Sequence, residues 1–78
     1  MTRKVQTLVL KFEAVECPNS GFAMTYAWAY ENGLRFSMGQ LAVRNDVESI
    51  DTAKDLLRAT LEHTVAINKS ILLDLTNW

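Results

Sequence analysis

Large and small side chains alternate along Phe22-Ala-Met-Thr-Tyr-Ala-Trp-Ala-Tyr30: even positions are large and apolar or aromatic, and odd positions are Ala or Thr. A period of two sends successive side chains to opposite faces of a strand. Glu31-Asn32-Gly33 follows, and Asn-Gly between two such runs is the strongest short-range hairpin signal. The pattern predicts a hairpin with strands over 22–30 and 34–43, its first strand having one heavy face and one small-residue face. An earlier strand is predicted over 5–16, with Leu8, Leu10, Phe12 and Ala14 on one face and Thr7, Val9, Lys11 and Glu13 on the other. The breaker cluster Cys17-Pro18-Asn19-Ser20-Gly21 ends it. Short connections demand antiparallel neighbours, so the three strands form a meander.

The hairpin has two candidate registers. A two-residue Asn-Gly turn of type I′ sets Trp28 opposite Ser37, Tyr26 opposite Gly39 and Tyr30 opposite Arg35. A three-residue loop with Gly33 in a bulge pairs Trp28 with Phe36 and Tyr26 with Met38 instead. The shift of one residue exchanges the faces of one strand. Turn statistics favour the first, whereas segregation of large from small side chains favours the second, which is the register adopted here. Gly39, inside a strand, marks a bulge or a close approach to the backbone.

Beyond Arg44-Asn45-Asp46 the period changes to that of a helix. Ser49 is a suitable N-cap, and Asp51 in the first turn complements the helix dipole. At about 100° per residue, Ile50, Ala53, Leu57, Leu61, Val65, Ile71, Leu72 and Leu75 share one side, with Leu56, Ile67 and Trp78 widening the arc, opposite Asp51, Asp55, Arg58, Glu62 and Lys69. One long helix over 49–76 is the economical reading, and its length of about 40 Å matches strands of this size. The rival ends the helix near Asn68-Lys69-Ser70 and makes Ile71–Thr76 a fourth strand. Leu73, the one apolar residue off the stripe, speaks for that rival. The expected fold is α+β: a single domain over residues 1–78, with 1–4 flexible and a three-stranded antiparallel meander (5–16, 22–30, 34–43) packed on one long C-terminal helix (49–76), in the order β-β-β-α. The heavy residues are expected to form the core under that helix.

Composition narrows the chemistry. The chain has 78 residues, one cysteine (Cys17) and one histidine (His63), so an internal disulfide and a Cys-based metal cluster are out of reach. A core this small rarely supplies more than about 3–5 kcal/mol unaided, which leaves oligomerisation as the supplement. The lone thiol fits a reducing, cytoplasmic setting. Thr2-Arg3-Lys4 before Val5–Leu10 faintly resembles a leader, but Lys11 and Glu13 interrupt the apolar run. No stretch approaches the roughly 18 apolar residues that span a membrane. The formal charge is −1, with a mild asymmetry: residues 1–44 hold five Lys/Arg against three Asp/Glu, and residues 45–78 hold three against six.

Candidate sites follow from what the pattern leaves over. The small face of Ala23, Thr25, Ala27 and Ala29, joined by Leu41 and Val43, is nearly uncharged, which suits self-association or a closely packed partner. Thr64 and Asn68 sit within the apolar arc of the helix, where a buried Asn often sets register across a subunit interface. Tyr26, Trp28 and Tyr30, with Arg35 as the cation, offer an alternative platform for single-stranded nucleic acid. Cys17 lies between Glu16 and Pro18 without a base to activate it, and His63 has no second histidine at ligand spacing. No glycine-rich phosphate loop or nucleophile motif occurs. No catalytic, cofactor or metal site is therefore expected. The expected function is a small, non-enzymatic protein-interaction module, a homodimer acting as a regulator, inhibitor or accessory factor of the kind that phage and mobile-element genomes encode. The alternatives are single-strand nucleic-acid binding and a subunit of a larger complex without independent activity.

Overall fold

A computed structural model describes residues 5–67 and 70–78. Five elements follow one another: β1 (Gln6–Cys17), β2 (Phe22–Glu31), β3 (Leu34–Arg44), α1 (Val47–Ile67) and β4 (Ile71–Asp74). The sheet order is β3-β2-β1-β4. The first three strands form the expected antiparallel meander, and β4 joins the far side of β1 in parallel. The α+β class and the helix packed on an antiparallel meander are as the pattern predicts. The position of residues 1–4, expected to be flexible, lies outside the described residues, as does Asn68.

The reading of a single helix over 49–76 is corrected. The helix ends at Ile67, and Ile71–Asp74 pairs with Gln6–Val9. The Gln6 N–H donates to the Ser70 carbonyl (2.8 Å) at the start of this ladder. Two things favour strand over helix here. The free edge of β1 offers a row of backbone partners, and strand pairing sets Leu73 opposite Leu8, packed on the core, whereas a continued helix would leave Leu73 off its stripe. The helix start also moves. Asp46 caps α1, its carboxylate accepting from the Ser49 N–H (2.7 Å) and its carbonyl from the Ile50 N–H (3.0 Å).

The hairpin keeps the first register at its turn and follows neither candidate beyond the bulge. Asn32 (φ 52°) and Gly33 (φ 79°) are both left-handed, as the type I′ turn requires, and Glu31 faces Leu34 across it. The adopted three-residue loop is therefore wrong at the turn: Tyr30 pairs with Arg35 and Trp28 with Ser37. The register then shifts between Ala27 and Trp28, so that Ala27 faces Gly39, Thr25 faces Leu41 and Ala23 faces Val43. Met38 is the extra residue of a bulge. Beyond the bulge Tyr26 pairs with Gln40, not with Gly39 or Met38, while Leu41 and Val43 fall on the small-residue face as the three-residue loop would also place them.

The larger correction concerns the faces. α1 packs on the small-residue side, where Ala23, Thr25, Ala27 and Ala29 are buried. The bulk comes from the neighbours: Leu8 and Leu10 of β1, with Ala53, Leu57 and Leu61 of α1. Gly39 completes the bed of the helix, since a Cβ there would stand 3.2 Å from Leu57 Cδ2. A strand of alanines lets the helix backbone come close while its leucines fill the space beside them. Burying Leu57 and Leu61 in this way contributes about 1.5–3 kcal/mol each. Beyond α1 the chain turns back, the Trp78 N–H donating to the Leu75 carbonyl (3.1 Å), and the Trp78 ring packs on Phe12 with centroids 5.7 Å apart.

Two layers of this kind make a slab rather than a sphere. Its extents are 55 × 24 × 17 Å. The Cα radius of gyration is 14.2 Å, against about 11.5 Å for a compact chain of this length.

Candidate functional site

With the helix on the small residues, the heavy face of the sheet lies open. Met24, Tyr26, Trp28 and Tyr30 are half-buried by their neighbours, and Phe22 is exposed. Cross-strand pairing decides what surrounds them: Val15 beside Met24, Glu13 beside Tyr26, Lys11 beside Trp28 and Val9 beside Tyr30 from β1, with Arg35 beside Tyr30 from β3.

The rings hold one another. Tyr26 and Trp28 stack with centroids 4.8 Å apart and planes at 19°. The Arg35 guanidinium lies 4.1 Å from the Trp28 ring centre, reaching it from the Tyr30 side. The Trp28 indole N–H donates to Glu13 Oε1 (3.0 Å), and Lys11 Nζ stands 5.4 Å from the Tyr30 ring centre. Tyr26 and Trp28 are same-face neighbours along β2, and the other contacts are diagonal cross-strand pairs of the sort that stabilise sheets by a few tenths to about 1 kcal/mol. The result is a patch with an aromatic centre and an uncharged apolar end at Val15, Met24 and Phe22. Its charges are one carboxylate and two cations held against rings.

The four residues nominated as the core of an interface, Ala23, Thr25, Ala27 and Ala29, are instead interior. Thr25 donates its hydroxyl to the Leu41 carbonyl (2.9 Å), which satisfies the one polar side chain in that bed. Leu41 and Val43, the other two sheet nominees, sit at the outer edge of β3 on the helix side and stay at least partly accessible. Thr64 is exposed, outside the buried seam of Ala53, Leu57 and Leu61, and its hydroxyl donates to the Thr60 carbonyl (2.9 Å), a local bond that answers its own polarity. Of the alternative nucleic-acid set, Tyr26, Trp28, Tyr30 and Arg35 do come together on one face.

An open groove of about 510 Å³ runs between the N-terminal half of α1 and the end of β3, lined by Phe22, Val43, Arg44, Glu48, Thr52 and Leu56. Sequence reasoning missed it, because it depends on where the helix lies along the sheet. Cys17 ends β1 opposite Phe22, and its carbonyl accepts from the Ser20 hydroxyl (2.7 Å). His63 is exposed on α1. Among the described residues no three of His, Cys, Asp and Glu converge to hold a metal ion. Two carboxylates titrate below their ordinary range, both at chain turns. Asp46 is held down first by the Ser49 backbone N–H, and Asp74 first by the Thr76 hydroxyl and then by its N–H. Among the described residues no helix is long and apolar enough to cross a membrane.

The chain matches no family model, no curated protein and no solved structure.

Proposed function

We propose that this chain is a non-enzymatic binding module that engages another protein through the open aromatic face of its sheet, as a regulator, inhibitor or accessory factor. One observation carries the reading: the largest residues of β2 lie half-exposed on the uncovered side of the sheet, while its smallest are covered by the helix. An exposed apolar patch of this kind, rimmed by charge, is a feature of protein-contact surfaces. Aromatic and Arg side chains are also the types that dominate binding energy at such surfaces. The two-layer slab supports the same reading, since a binding face that is one whole side of a sheet needs no pocket.

Single-stranded nucleic acid is the second reading, favoured by the juxtaposition of Tyr26, Trp28, Tyr30, Lys11 and Arg35. Against it, Tyr26 and Arg35 already lie against the Trp28 ring where a base would stack, and Glu13 puts a carboxylate at the centre. The two readings separate cleanly in experiment. Affinity capture from the native host with the wild-type chain and with Tyr26→Ser should recover a protein with the first and lose it with the second, at unchanged fold by circular dichroism. For nucleic acid the probe is Trp28 fluorescence in a Trp78→Phe background. Salt-dependent quenching by an oligonucleotide favours the second reading, and its absence at low salt removes it.

A further inference from the structure

The outer edge of β3 is a second unpartnered surface, and Tyr26 and Trp28 at the centre of the aromatic face are no part of it. β3 is the end strand of the sheet, eleven residues long, and no described strand pairs with its outer side. The opposite edge is the four-residue β4. Short edge strands, prolines and inward charges are the usual protections against edge pairing. β3 is long and has no proline, and its only charges are Arg35, on the aromatic side, and Arg44 at its end; the one edge-disturbing feature it carries is the bulge at Met38. Its helix side is apolar and open, with Leu34 72 %, Phe36 39 % and Leu41 36 % exposed, and Leu56 of α1 beside it at 55 %.

We infer that this edge pairs with the same edge of a second copy, antiparallel about a two-fold axis, to make one continuous eight-stranded sheet with both helices on one side. The bulge supplies the argument for a second copy rather than another strand. Before Met38 the helix-side residues of β3 are Leu34 and Phe36, and after it they are Gly39, Leu41 and Val43. The two-fold pairing that keeps both faces matched and uses the whole strand sets Leu34 opposite the second copy's Val43 and Phe36 opposite its Leu41. It sets Ser37 opposite Gln40 on the other face. The bulge, which otherwise disturbs an edge, then lies at the axis and aligns the halves. This register also points Leu34, the most exposed residue of the strand, at the groove lined by Val43, Thr52 and Leu56. A knob and its hole lie on the same edge at opposite ends, the arrangement an isologous dimer needs.

The surface area agrees. The chain exposes 5684 Å², about 900 Å² more than a typical monomer of 8.8 kDa. A standard interface takes about 800 Å² from each partner.

The test is sedimentation of the full chain at high micromolar concentration, with disulfide trapping. The wild type should be dimeric, and Leu34→Glu should weaken association about tenfold or more. Leu34 is exposed beside a turn, so circular dichroism should show the variant folded. In a Cys17→Ser background, an equal mixture of Ser37→Cys and Gln40→Cys chains should oxidise preferentially to the mixed disulfide, because directly opposed strand residues stand within bonding distance. A monomeric wild type, an association unmoved by Leu34→Glu, or no preference for the mixed disulfide each overturns the inference. None of these results bears on whether Tyr26→Ser loses a protein partner, so the two proposals fail separately.

Discussion

The two faces of β2 differ in a way that reverses ordinary expectation. Its odd residues, three alanines and a threonine between 23 and 29, are buried, and its even residues, two of them tyrosines and one a tryptophan, face outward. Side-chain size alone would put the second set inside. The covered side instead has its volume supplied from elsewhere, by Leu8 and Leu10 across one strand boundary and Leu57 and Leu61 from above. Small residues in one element are an invitation to large ones in its neighbour. A core is thus a property of the assembled layers, and no one strand's composition identifies it.

Substitutions on the two sides should respond accordingly. The largest loss is expected from Leu10→Ala, a fully buried side chain at the centre of the core, at about 2–5 kcal/mol in urea or thermal unfolding. Ala27→Leu comes next, adding bulk where Gly39 and Leu57 leave no room, and should cost about 1–3 kcal/mol. If Ala27→Leu were instead neutral, the claim that the small face is the packed one would be broken. Thr25→Val keeps the shape and removes the bond to the Leu41 carbonyl, for a loss of about 1 kcal/mol. On the open side, Tyr26→Ser should cost only about 1 kcal/mol, the order of one stacked ring pair, while removing partner capture. A loss as large as that of Leu10→Ala would make the aromatic face structural after all.

The smallest effect is a pH-dependent one at the helix cap. Asp46 binds its proton less readily in the folded chain than in the unfolded chain, because the ionised carboxylate accepts from the Ser49 N–H. Its contribution is therefore present above the ordinary carboxylate range and fades as the pH falls through its lowered value. The stability gap between wild type and Asp46→Ala should be seen at neutral pH and close in strong acid, with Asp46→Asn holding the cap at both ends.

Legibility followed locality. Asn32-Gly33 marked the hairpin and the alternation of 22–30 a strand, because both are decided within a few residues, but weighing side-chain size against turn chemistry chose the wrong loop. The helix phase through Ala53, Leu57 and Leu61 was equally plain, and those are its buried residues. The helix end was not, since Ile71 and Leu72 fit the helical stripe as well as they fit a strand. What separated the two was a pairing partner more than sixty residues away. Asp46 was passed over as a cap because Ser49 has the same chemistry three residues on. Trp78 fell at the margin of the helical arc, whereas its place against Phe12 depends on the turn after β4.

By itself, then, the amino-acid sequence determined the three strands of the meander, the presence of a helix after them, and the division of β2 into a heavy side and a light side. Alternation is symmetric with respect to face, so it carries no instruction about which side is covered. The tertiary structure decided that through Leu57 resting on Gly39, Met38 displaced into a bulge, and β4 paired on β1. Each of these is a contact between segments far apart in the chain, and its energy exists only once the layers have met.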